Sequence, residues 1–538
     1  MGDLFEGYRP GPAWDEMLAD PEQPRGLYRR VHETLRGLTA GDLAARADAL
    51  ARSYLDQGVT FDIAGEERPF PIDVVPRVLG AEEWALIEAG VAQRVRALEA
   101  FLADVYGERT CVRAGVVPWR VVASASGFVR VAAGIDPPNR VRVHVAGIDL
   151  VRDEQGTFRV LEDNVRVPSG VSYVMANRRA MTQVFPESFA THRIRGVEDY
   201  PRRLLAALRA AAPSGAADPT VVVLTPGIHN SAYFEHALLA RTMGVELVEG
   251  RDLVCAGGRV TMRTTSGLRQ VDVVYRRVDD DFLDPVQFRA DSLLGCPGLV
   301  TAARAGHVTI ANAMGNGVAD DKLVYSYVPD LVRFFLGEEP LLENVRTYRL
   351  DDPGDRAEAL ARLDELVVKP VDGAGGKGLV IGPRATRAEI DALRERVLAD
   401  PRGWIAQPMV HLSTVPTLAG GRLRPRHVDL RPFAVNDGDR VWVLPGGLTR
   451  VALPEGQLVV NSSQGGGSKD TWVLAGPGAA PPPARVVVAP RVPASVPPPA
   501  RATPGASAPD AQPLHPGDAY EQQQQQQQQQ QGERGAPC

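Results

Sequence analysis

The chain has 538 residues, which is enough for two or three domains, and its 44% hydrophobic and 23% charged residues are typical of a globular protein. Its net charge of −6 gives no reason to expect a nucleic acid or an anionic membrane as a partner. The four cysteines stand far apart and form no C-x-x-C pair, so neither a zinc site nor a disulfide framework is indicated.

The beginning of the chain has no basic segment that leads into an apolar one, so no signal peptide is predicted. No uncharged apolar run approaches the roughly 20 residues that a membrane helix needs. We therefore expect a cytoplasmic protein that has no membrane partner.

Residues 1–110 are predicted to form a mostly helical region. Apolar residues recur on one face of the segment that follows Thr39, which is a plausible N-cap. A second strong helix is predicted from about Ala92 to Tyr106. Nothing in this region suggests chemistry, and we interpret it as a packing module.

Short runs rich in β-branched residues begin after Trp119 and predict strands at residues 120–124, 129–133 and 140–153. A turn at Gln155 and Gly156 then leads into a returning strand at residues 157–164. These segments open a core region that we place at residues 111–475.

The hairpin formed by the last two strands carries acidic groups on both arms. Glu162 and Asn164 are two residues apart, so their side chains leave the same face of the strand, and Asp149 can reach that face from the neighbouring strand. Two carboxylates and an amide oxygen suit Mg²⁺ when it also holds phosphates and water. Taken alone, however, the pattern fits better a solvated hairpin face with scattered charge.

Arg166 follows this hairpin directly. An arginine two residues beyond a candidate metal ligand could bind an anionic substrate or the phosphoryl group in transfer. The alternative is a surface charge.

Residues 215–312 contain the pattern of a doubly wound α/β unit. A fully apolar strand at residues 220–225 leads through a glycine-containing loop into a helix, and further strands follow at residues 245–248, 271–279 and 308–312. Loops that follow such strands bind ligands, so the possible substrate contacts in this unit are His229, Asn230, Tyr233 and His236. His236 is more readily explained as a helix histidine with an internal partner.

Lys322 stands in the first turn of a helix predicted to begin at about Asp320. A lysine at this end of a helix opposes the helix dipole. We interpret Lys322 as a residue held there for a ligand phosphate.

A glycine-rich loop between two strand-like runs is the most informative segment of the chain. It contains Gly373, Gly375, Gly376, Lys377 and Gly378, and Lys369 lies in the strand before it. Glycines let backbone N–H groups approach an anion, and lysine adds a mobile positive charge. The segment is therefore predicted to be a flap that closes over a nucleotide triphosphate.

Two other phosphate loops do not fit this segment. The spacing of Gly373, Gly375 and Gly378 matches G-x-G-x-x-G, but a strand rather than a helix follows it. The Walker pattern fails because Lys377 is followed by Gly378 and not by Ser or Thr. An ordinary glycine-rich hairpin remains as an alternative.

Residues 476–538 are rich in Pro, Ala and Gly and contain ten consecutive glutamines, Gln522 to Gln531. A segment of this composition cannot bury a core, so we predict a disordered tail without a catalytic role.

Taken together, the motifs resemble those of an ATP-grasp enzyme in a permuted order, because Glu162-Asp163-Asn164 precedes Lys322, Lys369 and the flap. That order is similar to the circularly permuted ATP-grasp type 2 family, which is distantly similar to the synthetase domain of glutathionylspermidine synthase. The phrases that carry the resemblance are Gly147-Ile-Asp-Leu-Val-Arg-Asp, Leu161-Glu-Asp-Asn-Val-Arg-Val-Pro-Ser-Gly, Asn230-Ser-Ala-Tyr-Phe-Glu-His and Ser463-Gln-Gly-Gly-Gly-Ser-Lys-Asp-Thr-Trp. The resemblance covers residues 10–475 and implies an α/β fold with the N-terminal helical region and the disordered tail as additions.

The resemblance also implies a role for individual residues. Mg²⁺ would be held by Asp149, Glu162 and Asn164, and the phosphates of ATP by Lys322, Lys369 and the flap. Gln407 stands where the family has its adenine-contacting hinge, and Arg166 and Arg431 would steady the phosphoryl group or a substrate carboxylate. One departure is Gly147, at a position where the synthetase relatives carry an arginine, which leaves the acceptor chemistry open.

The implied reaction is an ATP- and Mg²⁺-dependent ligation of a carboxylate to an amine through an acylphosphate. Its substrates would be small molecules or peptides that carry these groups. A phosphotransferase on the same fold and a non-catalytic ATP-binding partner protein are the alternatives.

Overall fold

The computed structural model describes residues 4–20, 23–63, 66–213, 217–373, 378–457, 460, 466–476 and 516–529. The helices are α1 (Arg29–Arg36), α2 (Ala40–Asp56), α3 (Ala81–Val105), α4 (Thr110–Arg113), α5 (Trp119–Ala123), α6 (Val171–Val184), α7 (Pro186–Thr191), α8 (Tyr200–Ala210), α9 (Tyr233–Met243), α10 (Asp280–Leu283), α11 (Leu299–Arg304), α12 (Gly317–Asp320), α13 (Lys322–Tyr325), α14 (Val328–Leu336), α15 (Pro353–Ala361), α16 (Arg387–Ala399) and α17 (Pro516–Gln529). No helix within these ranges combines the length and the apolar character that crossing a membrane requires.

The strands are β1 (Leu18–Asp20), β2 (Gln23–Pro24), β3 (Thr60–Ile63), β4 (Glu66–Pro69), β5 (Ile72–Leu79), β6 (Val145–Arg152), β7 (Phe158–Asn164), β8 (Val221–Leu224), β9 (Glu246–Val248), β10 (Leu253–Ala256), β11 (Arg259–Thr264), β12 (Gly267–Gln270), β13 (Val273–Arg276), β14 (Thr309–Ala311), β15 (Tyr348–Arg349), β16 (Leu366–Pro370), β17 (Val380–Ile381), β18 (Trp404–Pro408), β19 (Thr414–Ala419), β20 (Arg422–His427), β21 (Phe433–Asn436), β22 (Val441–Val443), β23 (Thr449–Val451) and β24 (Gly467–Val473).

The N-terminal region mixes helices and strands. Thr39 caps α2 as predicted, and its hydroxyl and the carboxylate of Asp42 form a reciprocal capping box. Between the helices, however, β5 pairs in parallel with β24, and β23 completes this three-stranded sheet. The expectation of a mostly helical region therefore misses β5, in which every residue from Asp73 to Leu79 is buried.

The predicted acidic hairpin is present as β6 and β7, two arms of an antiparallel sheet in the order β22-β21-β6-β7. The long helix α3 packs against β21 and β22 of this sheet and against α14. Every residue of β6 is buried, so the hairpin is a central part of the molecule and its position is fixed by packing.

A second sheet is wholly parallel and has the order β14-β13-β8-β9. Its strands are the ones that the α/β pattern predicted. Because all four strands run in the same direction, their carboxyl ends lie at one edge of the sheet. The loops at this edge of an open α/β sheet bind ligands.

A third, antiparallel sheet has the order β15-β18-β16-β17 and carries the glycine-rich segment between β16 and β17. Helices α15 and α16 cover it, and together they enclose a small separate core. This core consists of Tyr348, Leu350, Ala359, Leu363, Leu366, Val368, Leu393, Val397 and Ala406. The flap therefore belongs to a lobe with its own apolar interior.

Two predictions of local structure need correction. Residues 119–123 form the helix α5, and Arg130–Ala132 form a turn of 3₁₀ helix, where strands were expected. Of the tail predicted to be disordered, the structure describes Pro516–Gln529, which form α17 and bond to the parallel sheet unit, and the rest of that prediction lies outside the described residues.

Candidate active site

Lys322 joins the acidic hairpin to the flap. Its Nζ lies 3.5 Å from Oε2 of Glu162 and donates a hydrogen bond to the carbonyl of Gly373. Its backbone N–H donates to the carbonyl of Val371 at 3.0 Å. The short helix that begins at Lys322 is capped by Asp321, whose carboxylate accepts from two backbone N–H groups. The hairpin and the flap therefore face one cleft, as the sequence predicted.

Lys369 lies on the same cleft, on β16. Its Nζ donates to Oε1 of Gln407 at 2.7 Å, and the amide nitrogen of Gln407 donates to Oγ1 of Thr347 at 2.9 Å. Burial, opposed by Glu162 and assisted by nearby Lys322, lowers the pKa of Lys369 to about 8. Gln407 is thus the residue that orients Lys369 in this structure, and its proposed contact with adenine stays a prediction.

The flap connects antiparallel strands, as expected for a segment that folds over a ligand. Gly373 and Gly378 are described, whereas Gly375, Gly376 and Lys377 lie outside the described residues. Gly378 has φ +72°, and a Cβ at that position would lie 3.3 Å from Cγ of Pro370. Glycine is therefore required at the returning end of the flap.

Asp149 lies at the centre of a charged cluster. Nε and Nη2 of Arg431 donate to its Oδ1 and Oδ2, the second bond at 2.8 Å, and Nη2 of Arg450 donates to Oδ2 at 2.6 Å. Burial alone would raise the pKa of Asp149, but the two guanidinium groups outweigh it and hold that pKa well below its usual range. Asp149 is therefore ionised and fixes both arginines.

Arg450 and Asp429 complete this cluster and were missed by the sequence reasoning. Nη2 of Arg450 lies 2.5 Å from Oδ2 of Asp429. The two residues are separated by 21 positions in the chain, so no local motif joins them. The only signal was the sequence Asp429-Leu-Arg431, in which charged residues alternate with an apolar one.

The three predicted metal ligands lie side by side. Asp149 pairs with Glu162 and Gly147 pairs with Asn164 across the two strands, and Asp149 and Glu162 are within hydrogen-bonding reach of each other. Oδ1 of Asp149 keeps one lone pair beside its bond to Arg431. The buried amide nitrogen of Asn164 has no hydrogen-bond partner among the described residues. This oxygen-rich set with one open donor fits Mg²⁺ together with a phosphate oxygen.

Asp163, between the two metal candidates, points to the opposite side of the strand. It is buried and accepts two hydrogen bonds from Arg94 of α3, at 2.5 and 2.8 Å. The ion pair anchors β7 to the long helix, and the carboxylate of Glu162 is thereby held towards the cleft.

Arg166 lies between two carboxylates. Its Nε is 3.6 Å from Asp279 and 3.8 Å from Asp320, and this nitrogen is buried without a hydrogen-bond partner in the described part of the chain. Burial raises the pKa of Asp320 to about 7 although Arg166 opposes this shift. Because Asp279 follows β13, Arg166 connects the acidic hairpin to the carboxyl edge of the parallel sheet.

Glu235 of α9 makes a second connection to the same edge. It is fully buried, accepts hydrogen bonds from the N–H groups of Gly170 and Ser172, and pairs with Arg277 at 3.1 Å. Arg431 donates in turn to the carbonyl of Ser169 at 3.3 Å. The loop after the hairpin is therefore fixed from both sides.

The four candidate substrate contacts at this edge have different surroundings. His236 is buried and bonds through Nδ1 to Oγ1 of Thr225 at 2.9 Å, so it has the internal partner that we expected. His229 and Asn230 contact α17 instead, and Tyr233 begins α9. None of these four residues contacts the acidic hairpin through a bond seen among the described residues.

Comparisons with known proteins agree with this architecture. A protein of Mycobacterium tuberculosis is 62% identical over 478 residues, which cover 88% of this chain and 86% of that protein. A protein of Frankia casuarinae with the provisional name glutamate–cysteine ligase 2-2 is 48% identical over 474 residues, which cover 87% of this chain but only 54% of that protein. This chain therefore matches about half the length of the Frankia protein.

A solved structure shows the same fold. It is that of a glutathione synthetase-like effector from Globodera pallida without ligand, which superposes with a TM-score of 0.53 at 11% sequence identity and covers 81% of this chain and 98% of the effector. The family described as circularly permuted ATP-grasp type 2 matches residues 76–452, which include the acidic hairpin, Lys322, Lys369 and the flap. The chain belongs to the circularly permuted ATP-grasp type 2 family.

Proposed function

We propose that this chain is an ATP- and Mg²⁺-dependent ligase that joins a carboxylate to an amine through an acylphosphate. The observation that carries the proposal is the placement of Lys322, whose Nζ lies 3.5 Å from Glu162 and contacts the flap at Gly373. An acidic hairpin and two lysines around one cleft are the groups that a metal–triphosphate complex requires.

The first step brings two anions together. A carboxylate oxygen of the substrate attacks the γ-phosphorus of ATP, the bond from that phosphorus to the β-γ bridging oxygen breaks, and ADP leaves. Lys322 and Lys369 neutralise the triphosphate during this approach, because their ammonium groups lie on the same side of the cleft. Mg²⁺ bound by Asp149, Glu162 and Asn164 would supply further positive charge at the phosphates.

Arginines beside the acidic hairpin would hold the substrate carboxylate. Arg431 is fixed by Asp149, and Arg166 has an Nε–H without a partner among the described residues. In the second step the amine attacks the acyl carbon, the bond to phosphate breaks, and phosphate leaves with the two electrons of that bond and takes up the proton that the amine nitrogen loses. No Ser, Cys or His nucleophile is needed.

The absence of a side chain at Gly147 leaves room for the side chain of Arg431. A Cβ at residue 147 would lie 3.1 Å from Cδ of Arg431 and 3.3 Å from Cβ of Pro168. Where the synthetase relatives carry an arginine at this position, this chain has a glycine and the side chain of Arg431 fills the adjoining space. We propose that Arg431, which precedes β21, supplies the positive charge at this place beside β6.

The substrates that we propose are amino acids or small peptides. The support is the name of the Frankia protein, which refers to the joining of glutamate to cysteine. The cytoplasmic location stays a prediction.

Trapping with hydroxylamine tests the reaction type. Protein, Mg-ATP and a pool of amino acids and peptides are incubated with hydroxylamine, and we expect a hydroxamate together with ADP. ADP with a stable phosphorylated product and no hydroxamate would instead identify a phosphotransferase. Absence of both nucleotide binding and turnover would favour an ATP-binding partner protein.

The substitution Glu162→Gln tests the cleft. We expect it to abolish ADP release while the far-UV circular dichroism spectrum and the unfolding midpoint stay those of the parent chain, because Glu162 is partly exposed and faces the cleft. The matched control is Glu343→Gln, which removes a 73% exposed carboxylate beside the same strand, at Arg159. Unchanged turnover in Glu162→Gln would remove this residue from the site.

A further inference from the structure

The helix α17, Pro516–Gln529, is here called the glutamine helix. Within its run of identical residues, Gln523 and Gln524 are buried, with 7% and 1% of their surface exposed, whereas Gln522 and Gln525 are exposed. These residues are chemically identical, so the difference in exposure comes from where each one lies on the helix relative to the surface beneath it. Buried amides also require hydrogen-bond partners.

Gln523 both accepts and donates a hydrogen bond through its side-chain amide. Its Oε1 accepts from the backbone N–H of Leu293 at 2.7 Å, and its Nε2 donates to the carbonyl of Asp291 at 2.6 Å. The backbone N–H of Leu293 and the carbonyl of Asp291 therefore offer a donor and an acceptor side by side, as the edge of a β-strand does. A primary carboxamide satisfies both groups, whereas a carboxylate has no hydrogen to give to the carbonyl of Asp291.

Gln524 occupies a second position beside the loop after β8. Its Oε1 accepts from the N–H of His229 at 3.0 Å, and its backbone carbonyl accepts from Nδ2 of Asn230 at 3.3 Å. A Cβ on Gly227, which has φ +123°, would lie 2.5 Å from Nε2 of Gln524. The glycine therefore leaves the space that the amide fills.

Polar contacts on the N-terminal side of the two glutamines orient the helix. The hydroxyl of Tyr520 donates to Oε2 of Glu249 at 2.5 Å, and the guanidinium of Arg251 lies 5.5 Å from the centre of its ring. Glu521 lies 3.5 Å from Nε2 of His229. The contacts span the loops after β8 and β9 and the segment 291–293.

We propose that this surface is a binding site for a helical peptide that carries two successive glutamine side chains, and that the glutamine helix of the same chain occupies it. The loops after β8 and β9 lie at the carboxyl edge of the parallel sheet, where open α/β sheets bind ligands. The ligand class is set by the two amide positions, which select a carboxamide over a carboxylate at Gln523.

Hydrogen exchange in the full-length chain tests the site, because the N–H groups of His229 and Leu293 are bonded to the two glutamines. In the double variant Gln523→Ala/Gln524→Ala, we expect exchange to become about tenfold faster or more in peptides that contain these two N–H groups. Alanine preserves helix propensity, so any loss of protection from exchange reflects the loss of the glutamine side-chain contacts. The control Gln522→Ala/Gln525→Ala should exchange as the parent chain does. Equal exchange in both double variants would overturn the proposal.

Two further measurements address the ligand class. Gln523→Glu should release the helix as the double alanine variant does, whereas Gln522→Glu should not. A synthetic peptide of residues 516–529, added at millimolar concentration to the double alanine variant, should restore slow exchange at His229 and Leu293, and a peptide with both buried glutamines replaced by alanine should not. Failure of the glutamine peptide to protect these amides would contradict a binding site. Neither readout depends on turnover, so the outcome is independent of the proposed ligase reaction.

Discussion

If the proposed function is correct, the ammonium group of Lys369 should make ATP binding sensitive to alkaline pH. Burial lowers its pKa to about 8, and the charged groups that face it are Glu162, which favours the ammonium form, and Lys322, which opposes it. Below pH 8 the lysine is already charged, so a triphosphate binds without proton uptake. Above pH 8 a proton must be taken up, and we expect the Kd for Mg-ATP to rise by up to about tenfold per pH unit.

The variant Lys369→Arg is the control for this prediction, because a guanidinium keeps its charge throughout that range. Its Kd for Mg-ATP is expected to change little between pH 7 and pH 9.5. Titration calorimetry in buffers with different ionisation heats would also report the proton taken up by the parent chain. A parent chain whose Kd is constant over this range would contradict a role for the lysine in binding the phosphates.

Residues with a local pattern could be predicted from the sequence, and residues with a distant partner could not. Glu162 and Asn164 alternate on one strand, and Lys369 adjoins a glycine-rich run, so each carried a signal of its own. Arg450 carried none, because its partners Asp149 and Asp429 come close only when β6, β23 and the loop before β21 assemble. The bond from Lys369 to Gln407 likewise requires the pairing of β16 with β18.

At the scale of elements, the buried ion pair between Arg94 of α3 and Asp163 of β7 should hold the acidic hairpin in place. Arg94→Met leaves Asp163 buried without its partner, which costs about 3–5 kcal/mol of unfolding free energy. We expect a loss of that size in urea unfolding. The double variant Arg94→Met/Asp163→Leu should recover part of it, because no uncompensated charge then remains.

The matched control lies two positions further along the same helix. Arg96 pairs with Glu338 at 3.0 Å, but both side chains are more than 40% exposed. Exposed pairs contribute about 0–1 kcal/mol, so Arg96→Met should leave the unfolding midpoint almost unchanged. Equal effects of the two substitutions would mean that the Arg94–Asp163 pair does not anchor the hairpin.

The elements that the sequence predicted incorrectly are short. Residues 120–124 contain two adjacent valines, which are buried here and would also suit a strand. A run of five residues is too short to distinguish the helical period of about 3.6 residues from the strand period of two. Pro118 precedes α5 and starts the helix at Trp119. The longer patterns of α3 and of the β6–β7 hairpin left no such ambiguity.

At the scale of the whole molecule, the order of motifs along the chain identified the permuted fold, because Glu162 precedes Lys369 in the sequence while both border one cleft. The docking of the glutamine helix could not be predicted in this way. The side chains of its two buried glutamines bond to backbone groups of His229, Asp291 and Leu293. Composition carries no information about which backbone groups a fold leaves without a partner.

Asn312 joins the parallel sheet to the sheet that carries the acidic hairpin. It follows β14, is buried, and its Oδ1 accepts from the N–H groups of His144 and Val145, each at 2.9 Å. Its Nδ2 donates to the carbonyls of Val145 and Val165 at 2.7 and 2.8 Å. One side chain therefore satisfies four backbone groups at the beginning of β6 and the end of β7.

Asn312→Ala should destabilise the chain by about 3 kcal/mol or more, because each buried backbone group without a partner costs about 1–3 kcal/mol and water can replace only some of the bonds. Urea unfolding measures this loss, and native-state hydrogen exchange should be faster at Val145 than in the parent chain. The control is Asn139→Ala, since among the described residues Oδ1 of Asn139 accepts only from Val141, two residues away, in a local turn. If both variants unfold at the same urea concentration, the link between the two sheets lies elsewhere, and the fixed relation of the carboxyl edge to the acidic hairpin must rest on Arg166 and Glu235 alone.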